Sequence, residues 1–284
     1  MSQRSLTLRP RAVACAVLVA AAALTGCGAP AEQLLNDVVR DVTGFPLSFD
    51  EVDRDDPFGG TEAEDYGEGF VVPEAAGIAG YPADRVQEAY DATGELLEAV
   101  YLDRAAVFEG DDMRFRSLLR GQAADWYQEY AGHEDPLMDS RNVLFRLTPG
   151  SAEPIGDVVK VDGRMWAEAA EDERGWEYLA VRTEYTIVHP VARPGEKVSV
   201  RLVTSHYGEV SFYGRGEGPL TAMPNWWRSV GPVHCLNDQV TFTPAYADEM
   251  PKGEKPRGFI EDDPYDIEAG RDMEESDCGA IRGT

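Results

Sequence analysis

Basic residues are scarce in this chain. Its 284 residues carry 26 Lys and Arg against 52 Asp and Glu, a formal charge of −26. A surface of that sign repels a phosphate backbone, which excludes nucleic acid as a main partner. Histidine is also scarce, at four residues, with no HxxxH or HExxH spacing. The four cysteines lack the close Cys/His spacing of a zinc site, so no metal or cofactor is expected. No Gly-x-Ser-x-Gly elbow, phosphate loop or dinucleotide fingerprint occurs. Catalytic residues therefore stay unassigned, and non-enzymatic binding is the expected class. What is present is enough for a core: 43% apolar and 10% aromatic residues, with only 27% charged.

The first 26 residues read as an address. Arg4, Arg9 and Arg11 make a positive start, and no acidic residue occurs before Glu32. Residues 12–24 then form a 13-residue apolar run. That is too short to cross ~30 Å of hydrocarbon at 1.5 Å per residue, but suits a secretory signal. Leu24-Thr25-Gly26-Cys27 follows. The segment resembles a bacterial lipoprotein signal, and the resemblance implies cleavage before Cys27, acylation of its thiol (by palmitate, for example) and anchoring on the outer face of the cell membrane. An ordinary secretory signal with a chance cysteine is the alternative. Arg outnumbers Lys by 22 to 4, and with abundant Ala and Gly this composition resembles that of an actinobacterial protein. Once Cys15 has left with the signal and Cys27 carries lipid, Cys235 and Cys278 remain. An even pair in an exported protein is read as a disulfide.

Residues 27–80 read as an acidic flexible tether. Between Asp50 and Glu68 lie nine carboxylates and one arginine, interrupted by Pro57, Gly59, Gly60 and Gly67. Self-repulsion should extend such a segment. Asp53, Asp55 and Asp56 lack the spacing of an EF-hand, so a solvated linker is the expectation. The folded part should span residues 81–213. Val86, Ala89, Tyr90, Thr93, Leu96, Leu97, Val100 and Tyr101 make the stripe of a helix over residues 84–103. Two shorter helices are expected, one after Gly110-Asp111-Asp112 and one around Trp126 and Tyr127.

Strands follow. Residues 158–161 and 164–170 flank Asp162-Gly163, a strong hairpin signal. Residues 176–189 and 197–213 flank Arg193-Pro194-Gly195-Glu196. A loop over residues 193–196 would oppose Thr183 to His206 and Tyr185 to Thr204, with the apolar sets of both strands on one face. Helices followed by an antiparallel meander make an α+β fold. The order resembles the NTF2-like cone, in which a curved sheet wraps a helix around a cavity. Residues 214–284 read as a Pro/Gly-rich acidic extension, with twelve carboxylates and four basic residues between Asp248 and Cys278. Trp226-Trp227 would anchor it.

Two groups of side chains stand out. Thr183, Tyr185, Thr204 and His206 would form a polar cluster on the apolar face. They would either satisfy one another in a filled interior or line a cavity. The NTF2-like resemblance implies, for the second case, an isomerase or dehydratase using His206 and Tyr185. On the other face Trp176, Tyr178 and Tyr213 would gather into an aromatic patch, either covered by the C-terminal extension or open to a protein partner or a saccharide. The sequence thus reads as a lipid-anchored envelope protein that binds an envelope protein or a small ligand. Cation capture by the acidic segments is a further alternative.

Overall fold

A computed structural model describes residues 52–78, 80–214, 220–236, 240–249, 257–259, 264–266 and 278–281. All of them belong to the unit Phe49–Thr284. The expected signal, Cys27 and the first half of the tether lie outside the described residues.

The fold is α+β. Strand β1 (Gly67–Glu68) comes first, then helices α1 (Ala83–Tyr101), α2 (Met113–Leu118) and α3 (Gly121–Tyr130). Strand β2 (Glu153–Pro154) leads into the long meander β3 (Lys160–Glu171), β4 (Glu177–Ala192), β5 (Ser199–Tyr213) and β6 (Thr221–Gly231). Short pairs follow: β7 (Val233–His234) with β8 (Thr243–Pro244), and β9 (Arg257–Gly258) with β10 (Gly279–Ala280). The main sheet runs β1-β3-β4-β5-β6, all antiparallel, with β2 on the end of β4. Helix α1 lies on one face of it. Val86, Leu96, Leu97 and Val100 meet Leu179, Val181, Ile187 and Val210 in one core. The amphipathic stripe therefore does what its period dictates: it buries one side of the helix against the inward-facing alternate residues of the strands.

Four expectations need correction. Asp162-Gly163 is not a turn: both residues sit inside β3, where Gly163 pairs with Tyr185. A Cβ on Gly163 would meet the Glu184 carbonyl at 2.1 Å and Tyr185 Cα at 2.7 Å, and its φ is +128°. The glycine serves close strand approach rather than reversal. The β4–β5 register is displaced by two residues. The loop extends over residues 193–198, closed by Arg193 N–H donating to Val198 O at 2.9 Å. Tyr185 therefore opposes His206, and Thr183 opposes Gly208. Because strand side chains alternate with period two, this displacement leaves every residue on the face assigned to it.

Residues 52–78 do not behave as a free tether. Val52 packs with Ile155 and Ala192, and its N–H donates to Ser199 Oγ at 2.6 Å. Phe58 and Ala63 cover Val188 and Val203 on the outer face of the sheet, while Pro57 O accepts from Arg201 Nε at 2.6 Å. The carboxylates stay outside while a few apolar side chains dip inward. Val72 lies against α1, where a Cβ on Gly94 would come within 2.9 Å of it, which accounts for a glycine in mid-helix. The fourth correction concerns residues 221–231, expected to be irregular. They form β6, a full partner of β5. Residues 278–281 return to this region through the Cys235–Cys278 disulfide, and Ile281 is buried.

Gly163→Ala should destabilise the protein by about 3 kcal/mol through backbone collision and strain. Gly156→Ala, where φ is also positive but space is open, should cost about 1 kcal/mol. Equal shifts of the two urea midpoints would contradict the close-approach explanation.

Candidate functional site

The sheet carries polar clusters on both faces. On the inner face Thr183, Tyr185, Thr204 and His206 do come together, all of them buried. Tyr101, the last residue of α1, closes the group: its hydroxyl lies 2.9 Å from His206 Nδ1. Thr183 Oγ1 lies 2.9 Å from His206 Nε2. Trp226 of β6 meets the imidazole edge to face, with centroids 5.3 Å apart. Arg228 pairs with His206 across the strands and donates from Nε to the Tyr101 hydroxyl at 3.3 Å.

The direction of this chain of bonds follows from Arg228. A guanidinium only donates, so the Tyr101 oxygen accepts and its proton is directed to His206 Nδ1. Nε2 then carries the ring proton and donates to Thr183. Burial, reinforced by the nearby Arg228 charge, holds the His206 pKa well below the ordinary value. Burial also raises Tyr101. His206 is thus a neutral, fixed tautomer. The hydroxyls of Tyr185 and Thr204 find no hydrogen-bond partner among the described residues. The Phe70 ring packs edge-on against Tyr185, with centroids 4.9 Å apart.

Two clefts border the sheet, and neither is lined by these four residues. One, of about 70 Å³, lies between the end of α1 and β4 and is lined by Tyr101 of the His206 cluster together with His189, Leu102, Val107 and Ile155. His189 Nε2 donates to the Tyr101 carbonyl at 2.8 Å, and burial lowers its pKa to about 4. The other cleft, of about 280 Å³, lies on the outer face beside Arg164, Glu184, Thr186 and Tyr265. No group of three or more His, Cys, Asp or Glu side chains among the described residues could hold a metal ion.

The outer face is covered at one end by Phe58 and Ala63 and aromatic at the other. Tyr178 and Tyr213 stack with centroids 5.2 Å apart. The corrected register makes them direct cross-strand neighbours, and Trp176, 63% exposed, lies just before β4. Trp226 turns inward, so only Trp227 of that pair reaches this face, where it stacks on Tyr207 at 6.3 Å and stays 44% exposed. Trp166, 37% exposed, stands at the far side on β3, with the Arg164 guanidinium 5.1 Å above its ring.

Between these rings lies a polar floor that the sequence reading missed. Glu209 is only 8% exposed although it faces outward. It accepts from Tyr178 Oη at 3.1 Å and Ser211 Oγ at 2.7 Å, and pairs with Arg182. Arg182 Nε also donates to Glu168 at 2.8 Å. The signal that would have found Glu209 is the correct register, which places it opposite Arg182. No protein-family model, curated protein or solved structure matches the chain.

His189 and His206 are neutral when buried but titrate near 6.5 when unfolded. Acid therefore stabilises the unfolded state first. The stability that rests on each neutral ring is complete above pH 6.5 and falls with acidification by about 1.4 kcal/mol per pH unit, down to pH 4 for His189. His189→Phe should lose less stability than the parent between pH 6.5 and 4 in urea titrations. Parallel losses would show that His189 is not buried neutral.

Proposed function

We propose that this protein is exported, cleaved before Cys27 and acylated there, and acts at the outer side of the cell membrane as a non-catalytic binding protein. The signal-like residues 1–27 support the anchor. The Cys235–Cys278 disulfide fits an oxidising compartment. The exposed aromatics on the outer sheet face carry the binding reading: Trp166, Trp176 and Trp227, with Tyr207, Tyr178 and Tyr213 between them. Large rings held by strands present apolar area at little ordering cost, the property that enriches Tyr and Trp at binding surfaces.

The finer NTF2-like architecture belongs to the same proposal. It is supported by helices preceding an antiparallel meander, and by α1 lying against the inner face of β3, β4 and β6. A cavity isomerase or dehydratase working through His206 and Tyr185 is the weaker reading. His206 is bonded on both nitrogens, and neither cleft reaches it. Ligand capture from the outer face needs no such access.

Two experiments test the proposal. Cys27→Ala should abolish incorporation of a palmitate analogue and move the protein out of the detergent phase; unchanged labelling would refute the anchor. A benzophenone amino acid at Asn225, on the outer face of β6, should give a discrete cross-linked adduct in intact cells, and the same group at Met113 on α2 should not. Absence of any adduct at Asn225, or an identical pattern at both positions, would refute the outer face as the binding surface.

A further inference from the structure

Resting on that reading of the outer face, we infer that its occupant is a neutral polysaccharide, lying across the strands between Trp166 and Trp227. The corrected pairing places two rows of side chains side by side. Trp166, Arg182, Glu209 and Asn225 form one row, and Arg164, Glu184, Tyr207 and Trp227 the next. Each row crosses four strands, a span of about 14 Å at ~4.8 Å per strand. Aromatic rings therefore stand at both ends of a floor made of planar hydrogen-bonding groups.

That alternation matches the chemistry of a glycan. A pyranose has C–H faces of slight positive charge, which are attracted to the negative face of an aromatic ring. Its equatorial hydroxyls both donate and accept, which suits carboxylate and guanidinium side chains fixed in place. The floor is pre-organised. Arg182 is tied to Glu168 and Glu209, and Arg164 stands 3.9 Å from Glu184. Hydrogen bonds from Tyr178 and Ser211 hold the buried Glu209 carboxylate in place. Beside the second row the 280 Å³ cleft at Arg164, Glu184 and Thr186 provides depth for a ring or a branch.

Charge selects among polymers. Both arginines of the floor are matched by carboxylates, so no surplus positive charge is offered to phosphates or uronates. The whole chain, at −26, repels polyanions. A polycation would find denser acidic sequence elsewhere, in residues 50–68 and 248–278. An uncharged, hydroxyl-rich chain is the occupant that gains from flat rings and pre-paired charges together.

The test is affinity electrophoresis of the intact protein in mild detergent through native gels holding a soluble neutral β-glucan, mannan or arabinogalactan. Gels holding polygalacturonate serve as the anionic comparison. At least one neutral polymer should retard the protein. Trp227→Ala and Trp166→Ala should each weaken that retardation at least about tenfold, as expected for an aromatic anchor. Met113→Ala, on the helical side, should leave it unchanged, and all variants should keep the parent circular dichroism. No retardation by any neutral polymer, retardation by polygalacturonate alone, or retardation unchanged in the Trp166→Ala/Trp227→Ala double variant would overturn the inference. If the glycan gels fail while the Asn225 cross-link still yields an adduct, the polysaccharide assignment falls and the binding face stands. Failure of both removes the face as well.

Discussion

The half-buried guanidinium of Arg228 holds three parts of the chain in one place. It projects from β6 toward α1 and spends its donors on oxygens from distant segments. Nε reaches the Tyr101 hydroxyl at 3.3 Å, while Nη1 reaches the carbonyls of Asn142 at 2.6 Å and Leu144 at 2.8 Å. Nη2 reaches the carbonyl of Val143 at 2.5 Å. Residues 142–144 lie at the end of the 3-10 helix Ser140–Val143, where carbonyls run out of helical donors, so they need such a donor once they leave water. Tyr101 is fixed as an acceptor by the same group, and the orientation of the Tyr101 proton decides the tautomer of His206. The inner polar cluster is thus a consequence of where one arginine docks.

The polar groups on the two faces of the sheet are engaged differently. Inside, the ring nitrogens of His206 are both engaged, Trp226 packs against its imidazole, and Phe70 packs against Tyr185. Outside, the sheet is divided along its length. Residues 58–63 cover Val188 and Val203, and the aromatic half begins two rows farther along. The buried carboxylate of Glu209 belongs to that half. Its loss of hydration is offset by the tyrosine and serine hydroxyls and the Arg182 guanidinium that hold it.

The parts of this architecture that were legible in the sequence are those governed by period. The spacing from Val86 to Tyr101 specified α1 and its buried side. Alternation in residues 179–189 and 202–212 assigned the inner face, and the two-residue error in loop length was harmless because strand faces repeat every two residues. Other parts were hidden for specific reasons. Pro224 and Arg228 at inner positions, and Met223 and Trp227 at outer ones, break the apolar alternation of β6, since Pro224 is tolerated on an edge strand and Arg228 points inward to make polar bonds. Asp162-Gly163 carries the composition of a turn, yet the missing Cβ is used for strand contact. The acidic count in residues 50–68 masked Val52, Phe58 and Ala63, which are too few to shift composition but sufficient to dock. Glu209 is one of 52 acidic residues and becomes distinct only when its neighbours are known.

The inner cluster is built around a neutral, singly protonated His206, bonded on both ring nitrogens. Long-range nitrogen–proton NMR correlation of the imidazole rings reads this without perturbing the protein. His206 should show a proton on Nε2 and a bare, hydrogen-bonded Nδ1, both unchanged from pH 8 to pH 5, with the Tyr101 hydroxyl proton slow to exchange. A His206 ring that titrates near 6.5, or a hydroxyl exchanging freely with water, would contradict it and would return the inner cluster to the status of a working cavity.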